Sequence, residues 1–206
     1  MAITTYTELK TAIANWLDRD DLTSKIPDFI FLAEKQIERQ VRHYKMVERS
    51  SGELDTQYSA VPADWIETIR FGISSGNTFQ LEMTTMQDLL ARREKSANVA
   101  GRPKYFAHIG ETIELFPTPD ATYTTELVYY QRLPYLSDSN TTNWLLTDAP
   151  DAYLYGSLLQ SAPYLAEDER IQVWGSFFTS AVSTLNSTSE TTKTSSSSLR
   201  MKVNTY

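Results

Sequence analysis

Cysteine is absent from this chain of 206 residues, which excludes disulfides, thiol nucleophiles and cysteine-ligated metals. Histidine is nearly absent, with His43 and His108 alone. Neither has another histidine or a carboxylate at ligand spacing within its own element, so both read as packing or surface side chains. The 7 glycines are scattered, and none builds a phosphate-cradling loop or a nucleophile elbow. No apolar run approaches the ~20 residues of a membrane span, so no membrane contact is expected. The opening Met1-Ala2-Ile3-Thr4-Thr5-Tyr6 has no basic stretch followed by an apolar one, and no secretory leader is read there. Synthesis in a cytoplasm is therefore expected. Positive charge is also in deficit, with 19 Lys and Arg against 26 Asp and Glu, a net charge of −7. That balance disfavours gripping nucleic acid over the whole surface, whereas acidic walls would let DNA pass without sticking.

Aromatics are plentiful: 12 Tyr, 8 Phe and 4 Trp, or 12% of the chain. Tyr and Trp join a large apolar face to a polar handle, so they serve cores and contact surfaces alike. Helical periodicity opens the chain, with Leu9, Ile13, Trp16 and Leu17 on one face behind a Thr5/Glu8 capping box. Arg19-Asp20-Asp21 breaks it. Ile26-Pro27 then begins a second helix whose stripe is Ile26, Ile30, Ala33, Ile37 and Val41. From about residue 46 the pattern becomes strand-like: Ile66, Ile69, Phe71 and Ile73, then a turn at Ser74-Ser75-Gly76-Asn77 into Phe79 and Leu81. A short helix is predicted from Thr85 to Lys95, with Thr85 and Asp88 forming a cap at its start. A hairpin follows, from Tyr105–Ile109 through Gly110-Glu111 to Thr112–Phe116, and Thr125–Leu133 supplies another strand.

Helix returns where Thr147, Asp148, Pro150 and Asp151 crowd a start signal, with Leu154, Leu158, Ala162 and Leu165 on one face. Pro163 should kink or end that helix. Glu167-Asp168-Glu169 places negative charge at the start of the next, whose stripe is Ile171, Trp174, Phe178, Ala181 and Leu185. After Asn186 the composition becomes Ser and Thr, too polar to offset its ordering entropy, so a flexible tether is expected. Beyond it Leu199, Met201 and Val203 alternate with Arg200, Lys202 and Asn204 before Tyr206, the pattern of an arm that adds a strand to a sheet edge.

The expected class is α+β: a helical bundle from the N- and C-terminal helices, an inserted antiparallel β lobe and an extended C-terminal arm. The expected boundaries are 1–45 for the first helical hairpin and 46–146 for the β region with one short helix. The returning helices occupy 147–186, and 187–206 forms the tether and docking arm. Chemistry is harder to find. The carboxylates of Asp20-Asp21 and of Glu167-Asp168-Glu169 are sequence neighbours, and neighbours rarely face each other across a cleft as glycoside hydrolysis requires. Basic residues gather at Arg39, Arg42, His43 and Lys45, and again at Arg92, Arg93, Lys95, Arg102 and Lys104. The second group lies beside Tyr105 and Phe106, and Arg92, Arg93, Lys95, Arg102 and Tyr105 form a candidate interface. No cofactor, metal site or enzymatic activity is expected.

Several segments resemble a family of head-to-tail adaptor proteins of tailed bacteriophages. They are Leu17–Leu22 with Ile26–Ile30, Pro62-Ala63-Asp64-Trp65, and Pro117-Thr118-Pro119-Asp120 followed by Val128-Tyr129-Tyr130. Asn143–Leu146 followed by Pro150–Gly156, and Pro163-Tyr164-Leu165 with Asp168-Glu169-Arg170 and Trp174, complete the likeness. The resemblance spans about residues 15 to 175, most of the chain; the order and spacing of the motifs carry it. It implies a virion protein at the head–tail junction, a ring of typically twelve subunits beneath the portal protein. Such a ring extends the DNA channel and offers a platform to the tail or nozzle protein, and DNA passes without sequence-specific binding. It also implies a C-terminal extension reaching into the portal assembly. Leu199, Arg200, Met201, Lys202, Val203 and Tyr206 are the arm residues that would dock on the portal or on a neighbouring edge. Two other readings stand beside it: a tail or baseplate component that binds surface glycans through exposed aromatics, and a divergent hydrolase built on an Asp/Glu pair.

Overall fold

The computed structural model describes residues 2–76, 79–96, 99–165 and 169–194, with Asp20 and Thr194 described in their backbone only. In chain order the first elements are α1 (Tyr6–Leu17), α2 (Ile26–Gln40), β1 (Val47–Leu54), β2 (Tyr58–Ala60), β3 (Trp65–Ile73), β4 (Phe79–Gln80) and β5 (Glu82–Met83). Then follow α3 (Met86–Lys95), β6 (Tyr105–Ile109), β7 (Thr112–Phe116), β8 (Tyr123–Gln131), α4 (Trp144–Asp148), α5 (Pro150–Gln160) and α6 (Arg170–Thr194). The class is α+β, as the periodicities predict. Met46–Arg132 forms one compact unit, and the segments on either side of it form the other.

In the helical unit, Thr5 caps α1 through a capping box in which its hydroxyl accepts from Glu8 N while the Glu8 carboxylate accepts from Thr5 N. Leu9, Ile13 and Leu17 turn inward, as their spacing requires. Helix α5 is the hub and packs against α1, α2, α4 and α6. Its buried face includes Ala152, Tyr153, Gly156, Ser157 and Leu158. Gly156 is where three helices meet: a Cβ there would sit 3.0 Å from the Phe178 ring of α6 and 3.3 Å from the Ala33 methyl of α2. Gly156→Val is therefore expected to lower stability by about 1–3 kcal/mol through overpacking, seen as a lower urea midpoint with an unchanged slope.

The Ser/Thr-rich stretch expected to be a tether from residue 187 is helical as far as Thr194. Two anchors explain this. The Asn186 carboxamide accepts from Arg42 N at 3.0 Å and donates to the Gln40 carbonyl at 3.0 Å, so it completes the C-terminus of α2. One turn on, the buried Ser189 hydroxyl accepts from Tyr44 N at 2.9 Å. The hydroxyls of Thr184, Thr191 and Thr192 donate to carbonyls four residues back, satisfying locally the groups that would otherwise compete with the helix. The rest of the expected tether and the arm residues Leu199–Val203 and Tyr206 lie outside the described residues.

The β unit holds two four-stranded sheets, ordered β1-β8-β3-β4 and β2-β7-β6-β5. All pairs are antiparallel except β5 with β6. Leu54, Phe71, Ile73, Leu81, Phe106, Ile113, Leu115, Leu127 and Tyr129 form the layer between the sheets. Along one side the chain passes directly from sheet to sheet: Leu81 N bonds the Phe71 carbonyl, and Glu82 N and Thr84 N bond the carbonyls of Lys104 and Phe106. Helix α3 packs against β6 and β7, and Leu89, Ala107 and Phe116 form a second small core with Tyr105. Thr85 caps α3 by accepting from Asp88 N, as read from the sequence.

The β unit closes at Arg132, earlier than the expected boundary at 146. Residues 133–143 belong with the helices because polar groups on α2 and α5 hold them. Glu34 Oε1 accepts from Leu136 N at 2.7 Å, and the Asn143 carboxamide donates to the Pro134 carbonyl and to the Tyr153 hydroxyl.

Candidate functional site

The five residues of the candidate interface lie on three neighbouring segments of the β unit, and they divide into two groups. Arg92 stacks over the Tyr105 ring at 4.1 Å and pairs with Asp88 one turn back on α3 at 2.6 Å. Hydrogen bonding to Arg92 and Thr84 holds the exposed Asp88 carboxyl below its ordinary range. Arg102 lies over Phe79, 5.2 Å from its centroid, and Lys95 is exposed. These side chains present a cationic and aromatic surface. Arg93 points the other way. Its side chain is 13% exposed and pairs at 2.7 Å with Glu114, which is 2% exposed, on β7. It also donates to the Leu115 carbonyl and to the Thr118 hydroxyl. Gln57 donates to the same carboxylate oxygen of Glu114 at 2.9 Å. Arg93 thus fastens α3 to its sheet, a role that the run of basic residues in the sequence did not signal.

Both histidines are packing residues. His43 is buried, stacked on Trp144 at 4.9 Å and tilted against Tyr44, and its Nδ1 accepts from Lys45 N. Burial first, and the nearby Lys45 charge second, push its pKa down. His108 stacks on Trp65 at 4.7 Å and meets the Thr68 hydroxyl at 3.0 Å; burial lowers its pKa too. Among the described residues no group of three or more His, Asp or Glu side chains could hold a metal ion.

The helical unit carries a groove of about 400 Å³ between α5 and α6, with Asp148 and Asp151 on one wall and Ser180 and Thr184 on the other. Tyr44, Tyr155 and Phe177 rim it. Asp148 is held by Lys45 at 2.6 Å. Trp16, Tyr155 and Phe177 form a continuous aromatic row, with centroid separations of 5.8 and 5.0 Å, and Trp16, Val173 and Phe177 are each more than 40% exposed. A second exposed apolar pair, Phe31 and Leu32, lies on the outer side of α2, where Phe31 meets Tyr135 edge-on. These are exposed apolar surfaces suited to protein contact.

Residues 4–202 match the family model described as SU10 adaptor protein. The chain belongs to that family. It is accordingly a structural protein of a phage head-to-tail adaptor family, and the match takes in both units and the segments that carried the resemblance in the sequence. No curated protein matches the chain. No helix among the described residues is long and apolar enough to cross a membrane.

Proposed function

We propose that the chain assembles as a ring of twelve subunits beneath the portal at the head–tail junction, extends the DNA channel, and serves as the platform for the tail or nozzle. The family match over residues 4–202 carries this reading. The exposed apolar surfaces support it: the Trp16, Tyr155 and Phe177 row and the Phe31 and Leu32 pair suit the two unlike halves of a head-to-tail contact, the kind that closes a ring. The net charge of −7 keeps DNA from adhering as it is packaged and ejected. The face of Arg92, Lys95, Arg102 and Tyr105 is a contact for an acidic neighbour in the assembly, with Arg93 in a supporting role beneath it. The arm of Leu199, Arg200, Met201, Lys202, Val203 and Tyr206 fastens the subunit by strand addition. Synthesis takes place in the cytoplasm of the host.

The test is to mix the protein with its portal and image the product. Rings stacked on the portal are expected, and a collar without density for this protein in intact virions would refute the reading. A chain ending at Thr194 keeps the Asn186 and Ser189 anchors, so it is expected to unfold at the same temperature as the full chain and yet to load poorly on the portal. Full loading of the shortened chain would remove the arm from the mechanism. Glycan binding, the second reading, would have to use the groove rimmed by Tyr44, Tyr155 and Phe177, where aromatic faces and hydroxyls meet in a concave site.

A further inference from the structure

The β unit is closed on one side and open on the other. On the closed side, residues 79–83 cross from one sheet to the other. On the open side β1 and β2 are the outermost strands of their sheets; among the described residues β1 pairs only with β8 and β2 only with β7. Between them is a cleft of about 330 Å³, lined by Ser50, Gly52 and Ser59 and reaching Phe71, Ile113 and Leu127 of the core.

The register shows why the cleft exists. Ser50 is opposite Leu127, Gly52 opposite Thr125 and Ser59 opposite Ile113, and residues directly opposite point to the same face of a sheet. Between Glu48 and Leu54, which share that face of β1, the inward positions Ser50 and Gly52, like Ser59 on β2, are therefore small, in a layer that the inner strands fill with Phe, Ile and Leu. The sheet edge and the space behind it are left unfilled together, which is the form of a site completed by a strand from elsewhere.

Residues 199–203 have the matching pattern. Leu199, Met201 and Val203 fall on one face of an extended segment, while Arg200 and Lys202 fall on the other. No acidic residue follows Glu190. On the outer face of β1, Glu53 is a carboxylate that a basic strand would meet, while Arg49 on the same face is paired with Glu126 of β8.

We infer that the cleft between β1 and β2 receives residues Leu199–Val203 of a second copy of the chain, added as a strand along the free edge of β1. Leu199, Met201 and Val203 fill the space left by Ser50, Gly52 and Ser59, and Arg200 and Lys202 lie on the outer face beside Ser51 and Glu53. The inference rests on the ring reading above. In a ring each subunit meets an identical neighbour head to tail, so every cleft takes one arm and every arm one cleft.

The absence of cysteine makes the test direct. One full-length population carries Ser51→Cys and another carries Lys202→Cys, with Arg200→Cys as the alternative register. The two are mixed, assembled with the portal and oxidised. Paired outward positions on adjacent strands lie within disulfide reach. A disulfide-linked pair of chains is expected, lost when the arm also carries Met201→Asp, a change that leaves the thiol in place. Rings that form without a link from either arm position overturn the inference and leave the ring reading standing. So does a link found only within a chain carrying both cysteines, which would mean that the arm fills its own cleft. So does an arm that resists protease only once the portal is added and never links to position 51. If no ring forms, both readings fall together.

Discussion

Glu114→Ala is expected to destabilise the β unit by about 3–5 kcal/mol, because it strips the carboxylate partner from a guanidinium that the fold holds out of water. Arg93 reaches from α3 to Glu114 on β7 at 2.7 Å, and both side chains are shielded from solvent, at 13% and 2% exposure. After the substitution Arg93 keeps its bonds to the Leu115 carbonyl and the Thr118 hydroxyl but loses the charge of Glu114. Gln57 also loses one of its acceptors, keeping the Tyr58 hydroxyl. The effect should be read by urea unfolding, with the transition of the β unit moved to lower denaturant. Replacing both partners by apolar residues of similar volume, Arg93→Met with Glu114→Leu, is expected to cost far less than either single change, since no buried charge remains. A single-substitution cost below about 1 kcal/mol would place the pair in the class of exposed ion pairs. The consequence reaches the surface as well. Arg92 and Lys95 ride on the helix that Arg93 fastens, so loosening it should disperse the cationic face.

The second large effect concerns pH. Glu34 on α2 is almost fully buried, and burial raises its carboxyl from the ordinary 4.5 to about 7 against the opposing bonds from Leu136 N and Tyr153. A carboxyl whose folded pKa exceeds its unfolded value binds more protons when folded. Its contribution is therefore fully present below about 4.5 and lost as pH rises through about 7. At 1.36 kcal/mol for each pKa unit, the loss across that window is about 3 kcal/mol. Glu34→Gln keeps an acceptor for Leu136 N and Tyr153 and removes the charge. It should flatten the decline between pH 5 and pH 8 and leave the variant more stable than the natural protein at the upper end. Equal slopes for the two proteins over that range would show that Glu34 is ionised without penalty in the fold. Because Glu34 holds residues 133–143 on the helices, the first motion to increase at high pH is expected there, detectable as faster amide exchange at Leu136.

Much of this architecture was legible from local chemistry. The Thr5/Glu8 capping box, the stripe from Ile26 to Ile37, the Thr85 cap and the turn at Gly110 are each specified within a few residues, by hydrogen bonds and periodicity that need no distant partner. The same holds for the order of motifs that resembles the adaptor family. Strands β1 and β2 were missed because Val47–Leu54 reads Val-Glu-Arg-Ser-Ser-Gly-Glu-Leu, with no apolar alternation. Ser50, Gly52 and Ser59 stand where apolar side chains would mark a strand, and such an outer strand gives no signal that a periodicity search can find. The helical character of Ser187–Thr194 was hidden for a related reason. Its anchors, Ser189 on Tyr44 N and Asn186 on Arg42 N and the Gln40 carbonyl, join residues about 145 apart in the chain.

Arg93 is the sharpest case. In the sequence it is one of several basic residues beside an aromatic pair, and nothing local separates it from Arg92 or Lys95. Helical geometry puts successive residues 100° apart, so Arg92 lies over Tyr105 at the surface and Arg93 turns towards Glu114 on a strand some twenty residues away. Which elements form, where most of them begin and what class of protein they build follow from short-range bonding and the spacing of apolar side chains. Which charges are buried, which strand edge stays open and how far the last helix runs depend on groups brought together by folding, because burial and pairing are properties of a neighbourhood that the chain acquires only when it is compact.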